Sequence, residues 1–399
     1  MRKYNTETEE ETKRRKNLLS FTFLHFMNDL HSTSLPSIIP MLVQSIGLSM
    51  SGAGILNAIF GLTNIFAQPV TGYFADRQKR PWFAVWGPML SATGACILPM
   101  SPTFGAAVIA VGMMSIGTAL FHPQGTGRSG SSAGKNKLAF SISLFAASGS
   151  LGSSISPLYV VFMVSVLGRQ LFPLALIPVF TLCFFIWKNT ATPMEHSELS
   201  KEKAELSGFF RNIKYLMSKV GGVVAIASIR DASSQGIRLF LPMLIITRGG
   251  SIAAGGFSLF AVTIAGTLAG MAGGKLADTV GDDNILLISM TAAPFFILTG
   301  LYTTGILSIA ILMLGFAFLQ ASNPVTTAMA QKRCPESRST VSSLALGVSW
   351  GIANLCTTPV GFSADIIGLE TTLNVVALFP WIITASYIWR RFSAKKGSN

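Results

Sequence analysis

Apolar segments long enough to cross a lipid bilayer recur along the whole sequence, and they constrain the fold more than any other feature. A membrane-spanning helix needs about 20 mostly apolar residues. Twelve segments meet this requirement, each end being set to within a few residues: 18–45, 50–75, 82–101, 104–127, 138–166, 170–187, 220–247, 251–276, 284–303, 305–330, 339–364 and 371–389. The sequence therefore predicts an all-α membrane protein with twelve transmembrane helices.

The composition and the placement of charge agree with this prediction. Only 12% of the residues are charged, against about 25% in soluble proteins. The net charge of +13 could indicate a nucleic-acid partner, but most Lys and Arg residues lie in the termini and in loops on one side of the predicted spans. Because such residues are enriched in cytoplasmic loops, we predict that both termini are cytoplasmic and that the chain binds no nucleic acid.

A charged segment divides the predicted spans into two sets of six. The domains are expected as follows: a cytoplasmic tail at 1–17, a six-helix bundle at 18–187, a cytoplasmic central loop at 188–219, a second six-helix bundle at 220–389 and a cytoplasmic tail at 390–399.

The two halves resemble each other at a constant offset of 202 residues. Asp29 matches Asp231, and further pairs keep the same register: Pro40 and Pro242, Gly72 and Gly274, Asp76 and Asp278, Gly149 and Gly351, Pro157 and Pro359, Pro178 and Pro380, Trp187 and Trp389. Repeats of this kind are typical of transporters. The pattern predicts two bundles related by a pseudo-two-fold axis along the membrane normal, with a substrate pathway between them.

The loop after the second span reads GYFADRQKRP, residues 72–81. It resembles the signature G-x-x-x-D-R-x-x-R-[RK] of the major facilitator superfamily, with Pro81 in the last basic place. An aspartate and arginines at a helix end can form charge-assisted hydrogen bonds in one state and lose them in another. The resemblance therefore implies gating residues in this loop and at the matching place of the second half: Gly72, Asp76, Arg77, Arg80 and Asp278.

Three further stretches, HFMNDLHSTSLPSIIP, QPVTGYFADR and GTALFHPQGTGRSG, resemble the fosmidomycin-resistance family of that superfamily. This resemblance runs the whole length, more loosely after residue 220, and implies proton-driven drug efflux by antiport, and hence antibiotic resistance. It does not identify the exported compound. One departure weakens the export interpretation: Ser156 stands where many drug antiporters have glycine before Pro157.

Polar side chains inside the spans are rare, since each ionisable one costs roughly 2.5–3.5 kcal/mol on insertion scales. Here they concentrate in spans 1, 4, 7 and 10, which line the central cavity in the superfamily. The candidate proton-coupling residues are Asp29, His25 and Asp231. The candidate substrate-binding residues are Asn28, His31, His122, Gln124, Arg230, Gln235, Arg238, Gln320 and Asn323.

Asp29 lies near the middle of span 1, and His25 is on the same helix face four residues earlier. A proton could therefore be loaded and unloaded there, although Asp29 could equally brace its helix. His122 could contact substrate or steady the kink at Pro123. Arg238 suits a phosphonate or carboxylate because its planar fork binds two oxygens, but it could instead form a structural ion pair with Asp29 or Asp231.

The sequence also allows expectations about two further pairs of charged residues. Arg230 and Asp231 are adjacent, so their side chains should point about 100° apart around the helix. Asp365 and Glu370, near the outer end of span 11, are expected to be merely solvated.

We therefore expect a monomeric, multi-pass transporter of the cell inner (plasma) membrane that works by alternating access. It would export a small polar or anionic antimicrobial compound against protons, with lipid around it and without a cofactor or metal. Import of a small organic anion by proton symport is the alternative, and a receptor without transport is less favoured. An enzyme is not expected, since only His122 near Ser115 or Ser129 offers even a loose catalytic pair.

Overall fold

Helices account for nearly all of the chain that can be described. The computed structural model describes residues 2–75, 80–132, 138–189, 206–334, 341 and 344–386. Those residues contain no β-strand, as the sequence predicts. Parts of the predicted central loop, at 190–205, and the C-terminal tail at 390–399 lie outside them.

The helices of the first half are α1 (Arg2–Ser32), α2 (Leu35–Ile46), α3 (Met50–Leu62), α4 (Gln68–Ala75), α5 (Trp82–Ile97), α6 (Phe104–Ser131), α7 (Leu138–Leu171) and α8 (Leu176–Asn189). Those of the second half are α9 (Leu206–Thr247), α10 (Ile252–Val280), α11 (Asp282–Tyr302), α12 (Gly305–Ala321), α13 (Asn323–Arg333), α14 (Ser349–Ile367) and α15 (Leu369–Ala377). A π-helical turn, Thr63–Ala67, joins α3 to α4, another, Leu344–Val348, leads into α14, and residues 379–386 are again helical.

Eight stretches of the described residues could cross a membrane by length and apolarity alone. The longest, Leu144–Lys188, covers most of the predicted span 138–166 and all of the predicted span 170–187. The helices α1 and α9 are not among these stretches, because each begins in a charged segment and carries polar groups in its middle. Other candidate site residues lie in strongly apolar stretches, since Phe104–Ser129 holds His122 and Gln124, and Gly305–Arg333 holds Gln320 and Asn323.

The helices form two compact units, one built by α1, α2 and α4–α8, the other by α3 and α9–α15. The sequence alone assigns α3 to the first bundle, whereas it packs with helices of the second unit. The other domain boundaries given above stay predictions.

The core of the first unit positions α1 against its neighbours. Phe21 and Leu24 of α1 are buried together with Phe121 of α6, Phe145 of α7 and Val179 of α8. Because these side chains anchor one face of α1, the polar residues of the same helix, further along it, are held at fixed places against α6 and α7.

In the second unit, α3 and α14 pack with their backbones in direct contact. A Cβ at Gly54 would collide with the carbonyl group of Thr357. Nearby, the Asn57 amide donates to Asn354 Oδ1 at 3.2 Å and to Thr357 Oγ1 at 3.3 Å. Small residues that let helices approach and amides that bond across them are the usual means of helix association in membranes.

Asp365 holds the beginning of α3, so the expectation that it is merely solvated is wrong. Its two carboxylate oxygens accept the backbone N–H groups of Met50 at 2.9 Å and Ser51 at 2.8 Å. Burial raises the pKa of Asp365, but the hydrogen bonds from Ser51 and Met50 outweigh it and leave the pKa below its usual value. The cap is therefore ionised at neutral pH, where it stabilises the helix N-terminus. Glu370 is also bound, because Arg248 Nε donates to it at 2.6 Å.

Substituting Gly54 tests the close packing of α3 on α14. Gly54→Ala should destabilise the protein by about 1–3 kcal/mol, since the new methyl group forces the two backbones apart. The measurement is thermal unfolding in detergent. Gly112→Ala is the matched control, because a Cβ at this helical glycine meets no atom within 4 Å, and it should be neutral or stabilising. Equal unfolding temperatures for both variants would contradict the packing described.

Candidate functional site

The first polar centre of the molecule lies on α1, around Asp29. His25, one turn earlier, places its Nε2 3.3 Å from Asp29 Oδ2. The Asn28 amide donates to the other oxygen, Oδ1, at 2.9 Å. His25 and Asn28 are buried, and the Asp29 side chain is 13% exposed. The predicted His25–Asp29 pair is thus brought together by helix spacing.

The helix α6 adds a second histidine to this centre. His122 Nε2 lies 3.5 Å from Asp29 Oδ1, and the rings of His25 and His122 meet edge to face with their centroids 5.0 Å apart. One nitrogen from each histidine and one oxygen from Asp29 lie within 4.8 Å of one another. We call His25, Asp29 and His122 the proton triad. It can hold a small cation such as a proton between a carboxylate and two imidazoles.

The helix α7 closes the proton triad from the other side. The carbonyl oxygen of Phe145 is 2.7 Å from His25 Nδ1, and the Phe145 ring stacks on the imidazole. One turn further on, a Cβ at Gly149 would collide with the His25 ring and would lie 2.7 Å from Asp29 Oδ2. Gly149 therefore has to be glycine for the pair to occupy this niche.

Two residues of the first unit that the sequence suggests for substrate binding are engaged by the protein itself. His31 is buried, with Nδ1 2.8 Å from the Met27 carbonyl oxygen and Nε2 3.2 Å from the Tyr159 hydroxyl. Gln124 accepts the backbone N–H of Ala84 at 2.8 Å, near the beginning of α5. Both contacts tie helices together.

The second polar centre lies on α9, at the position that the repeat matches to Asp29. Arg230 and Asp231 form a two-pronged ion pair, with Nε to Oδ1 at 2.8 Å and Nη2 to Oδ2 at 3.0 Å. The expectation that these neighbours point apart is wrong, because the long arginine side chain bends back to its neighbour. Both side chains are almost completely buried, at 0% and 3% exposure.

Side chains of other helices complete this ion pair. Arg230 also donates to Thr326 Oγ1 at 2.9 Å and to Asn323 Oδ1 at 3.3 Å, both on α13. The Ser349 hydroxyl at the start of α14 donates to Asp231 Oδ2 at 3.1 Å. Asn323 is thereby placed in a structural network. We call Arg230, Asp231 and these three partners the ion-pair network.

The remaining amides of the second unit bond to one another. Gln235 donates to Asn354 Oδ1 at 3.1 Å, the same oxygen that Asn57 of α3 uses. Gln320 donates to Ser234 Oγ at 2.8 Å. These contacts link α9 to α14 and α12. They hold the face of α9 that carries the candidate residues against those two helices.

Arg238, two turns beyond Asp231 on α9, is different. Its Nε is buried without a hydrogen-bond partner in the described part of the chain. Among the described residues of its unit, no carboxylate forms an ion pair with it, since Asp231 is bound to Arg230. A cation held in a membrane span without a counter-ion can bind an anion there.

The predicted gating residues are only partly described. Asp76 and Arg77 lie outside the described residues. The Arg80 guanidinium lies over the Trp187 ring, 5.7 Å from its centroid, and Gly72 faces Pro123 of α6. At the corresponding end of the second unit, Asp278 is exposed near a salt bridge of 2.6 Å between Lys332 and Asp282.

Several residues of the two centres could not be predicted from the sequence. The Phe145 carbonyl group is backbone and carries no sequence signal. Thr326 and Ser349 are ordinary hydroxyl residues that only the fold brings to Asp231. Gly149 did carry a signal, because it recurs in the repeat.

The fold and these buried polar centres define a multi-pass membrane protein of the transporter class. The sequence profile of the Major Facilitator Superfamily matches residues 21–358, and the chain belongs to that superfamily. This confirms the predicted fold class and points to a transporter, not an enzyme. Transporters of this superfamily bind small-molecule substrates.

The resemblance to the fosmidomycin-resistance family is also confirmed. The Fosmidomycin resistance protein of Escherichia coli (strain K12) is 26% identical over 366 residues, covering 89% of this chain and 88% of that protein. The uncharacterized MFS-type transporter YfnC of Bacillus subtilis (strain 168) is 24% identical over 370 residues, covering 91% and 90%.

Solved structures share the fold at lower identity. A bacterial homolog of the human lysosomal transporter Spinster, inward-facing and unoccupied, superposes with a TM-score of 0.75 at 17% identity, covering 94% of this chain and 96% of that one. The nucleoside transporter NupG gives a TM-score of 0.71 at 15% identity, covering 93% and 98%.

The ion-pair network predicts a large difference between single and double substitutions. Arg230→Met leaves Asp231 buried without its counter-ion and should cost about 3–5 kcal/mol of stability. Arg230→Met combined with Asp231→Leu removes both charges and should recover most of this loss. Thermal unfolding of the purified variants measures both. A single variant as stable as the wild type would contradict the network.

Proposed function

We propose that this protein is a proton-coupled exporter of a small anionic antimicrobial compound. The observation that carries the proposal is the proton triad: a carboxylate near the C-terminal end of α1, close to the middle of the predicted span 18–45, whose nearby cationic partners are two histidines. Because histidine changes its charge near neutral pH, this carboxylate can gain and lose its neutralising proton under cellular conditions.

The proton step assigns a role to each member of the triad. Asp29 carries the negative charge, His25 shares the proton with it, and His122 stabilises the loaded state from α6. Proton binding neutralises the triad and proton release leaves a net negative charge in the span, which is costly. The protein then favours different arrangements with and without the proton, as alternating access requires.

Asp231 has a lesser part in this proposal than the sequence suggests. Arg230 neutralises it permanently, because an arginine side chain keeps its charge at any physiological pH. Ion pairing and hydrogen bonds to Ser349 and Arg230 occupy its oxygens. Asp231 therefore serves as a structural copy of the coupling carboxylate, and Asp29 carries the proton.

Arg238 supplies the attraction for the substrate. Its guanidinium, whose Nε has no hydrogen-bond partner among the described residues, favours a phosphonate or carboxylate group, which it can bind through two oxygens. The relative named for fosmidomycin resistance supports a phosphonate antibiotic such as fosmidomycin as the first compound to test. That relative's name also supports export as the direction of transport.

The sequence supports a cellular location for this activity. The excess of Lys and Arg in the predicted cytoplasmic segments supports an inner (plasma) membrane protein with both termini inside. The protein would act as a monomer surrounded by lipid, since each of its two units has a polar centre of its own. Symport of a small organic anion into the cell uses the same Asp29 and Arg238, and the direction of coupled flux separates the two functions.

Substituting Asp29 tests the proton step. In liposomes containing purified protein, fosmidomycin and a panel of small anions should drive proton movement through the wild type. Asp29→Asn should abolish this movement, because an amide cannot carry the proton. Glu370→Gln is the matched control, since it removes an exposed carboxylate paired with Arg248, and it should behave as the wild type. Equal proton movement in Asp29→Asn and wild type would refute the proposal.

Substituting Arg238 tests the substrate step. Arg238→Gln removes charge-assisted hydrogen bonds worth about 1.5–3 kcal/mol, so KM for the anionic substrate should rise at least about tenfold. The measurement is uptake of labelled substrate into inverted vesicles over a range of concentrations. The exposed Arg169→Gln serves as control and should leave KM unchanged. A wild-type KM in Arg238→Gln would exclude this arginine from binding.

A further inference from the structure

The hydrogen bond between His25 and the backbone of α7 restricts which nitrogen of the ring carries a proton. Nδ1 is 2.7 Å from the Phe145 carbonyl oxygen. A carbonyl oxygen only accepts hydrogen bonds, so Nδ1 must be the donor. A neutral imidazole has a single N–H. While this bond exists, a neutral His25 therefore presents the bare lone pair of Nε2 towards Asp29.

That arrangement forces the pair to take up a proton. The lone pair of Nε2 and the carboxylate oxygen Oδ2 would face each other as two acceptors, 3.3 Å apart. One additional proton between them turns this repulsion into a charge-assisted hydrogen bond. We therefore expect the pair in this arrangement to hold two protons, one on Nδ1 and one shared by Nε2 and Asp29.

We infer that the Phe145 carbonyl group on α7 is the positioning group that controls proton loading at Asp29, acting through the tautomer of His25. This inference rests on the proposed function. When α7 is in place, Nδ1–H is committed to Phe145 and the pair must carry the shared proton. When α7 withdraws, the ring can keep one proton on Nε2, from which it donates a hydrogen bond to Asp29. The proton on Nδ1 is then released to water.

The change required in the structure is small. A shift of about 1 Å lengthens a bond of this kind beyond hydrogen-bonding distance, and helix shifts of about 1–2 Å accompany many switching transitions. At this place α7 approaches α1 closely through glycines: the niche for the pair exists only because residue 149 has no side chain, and a Cβ at Gly152 would collide with the Phe26 carbonyl oxygen of α1. A small movement of α7 therefore acts directly on the contact with His25.

Other charged groups near the pair do not take over this role. His122 on α6 is the other titratable side chain that the described residues bring to the pair. It faces Oδ1, while His25 faces Oδ2. From α7 the pair meets the carbonyl group of Phe145 and Gly149, and α5 and α8 pack on α1 through the apolar core of the first unit.

Two substitutions of His25 separate its two nitrogens. The amide of His25→Asn lies where Nδ1 was, so it can donate to Phe145 but leaves Asp29 without a donor. The amide of His25→Gln reaches the place of Nε2 and can donate to Asp29 without an added proton. Proton uptake by the purified proteins, followed with a pH indicator as the solution is acidified, counts the protons bound and gives the midpoint.

The inference predicts opposite behaviour for the two variants. His25→Gln should bind the proton at least about tenfold more weakly, a shift of about one pH unit towards acid, and should transport substrate with little proton movement. His25→Asn should bind the proton more tightly than His25→Gln, because it leaves Asp29 without a donor from this position. Equal midpoints for Asn and Gln would overturn the inference. If Asp29→Asn takes up protons like the wild type, the proposed function fails instead.

A measurement on the wild type keeps the test valid if a variant does not fold. The chain has four histidines, so the imidazole nitrogens of ¹⁵N-histidine-labelled protein in lipid can be assigned by NMR. The inference predicts that His25 carries a proton on Nδ1 whenever the pair is loaded, and that the neutral ring left after proton release carries its proton on Nε2. A neutral His25 protonated only on Nδ1 would overturn it.

Discussion

A carboxylate inside a membrane span needs a neutralising partner, and the rest of this structure depends on how that need is met. An unpaired charge in this position costs roughly 2.5–3.5 kcal/mol on insertion scales, and more when no water reaches it. The chain has two such carboxylates, Asp29 and Asp231, at matching places of an internal repeat. Each is neutralised within its own unit, and the two solutions differ in kind.

The second unit uses a permanent cation. Arg230 occupies the position that Asn28 has in the first half, and its guanidinium binds both oxygens of Asp231 while α13 and α14 add further hydrogen bonds. A buried pair with all its donors and acceptors satisfied resists change in either partner, since removing one leaves the other charged and alone. The consequence is a rigid junction of three helices.

The first unit uses partners that can lose their charge. His25 and His122 lie beside Asp29, whereas the sequence of the second unit contains no histidine. The balance at this place therefore depends on protons, and on the helices that hold the two rings. The two copies of the carboxylate have thus diverged. Asp29 serves proton coupling, as proposed, whereas Asp231 maintains structure. Among the described residues of its unit, Arg238 has no counter-ion, which suits the substrate-binding role proposed for it.

Much of the fold could be predicted from the sequence, because apolar length and loop charge follow directly from the bilayer. The His25–Asp29 contact was also predictable, since it depends on helical spacing alone. Contacts that cross between helices were not. The roles of Phe145, Ser349 and Asp365 arise from backbone groups and hydroxyls whose neighbours only the packing decides, and the association of α3 with the second unit has no local sequence signal. His31 and Gln124 look like cavity residues in the sequence because their helix partners cannot be seen there.

The central claim is that the carboxylate of the first unit changes its protonation while that of the second does not. Infrared difference spectra of the protein in lipid, recorded between alkaline and acidic solution, report directly the carboxyl groups that gain a proton. The account predicts a protonated carboxyl band that is lost in Asp29→Asn and kept when Arg230 and Asp231 are replaced together by Met and Leu. A band that survives in Asp29→Asn and disappears in the double variant would contradict it.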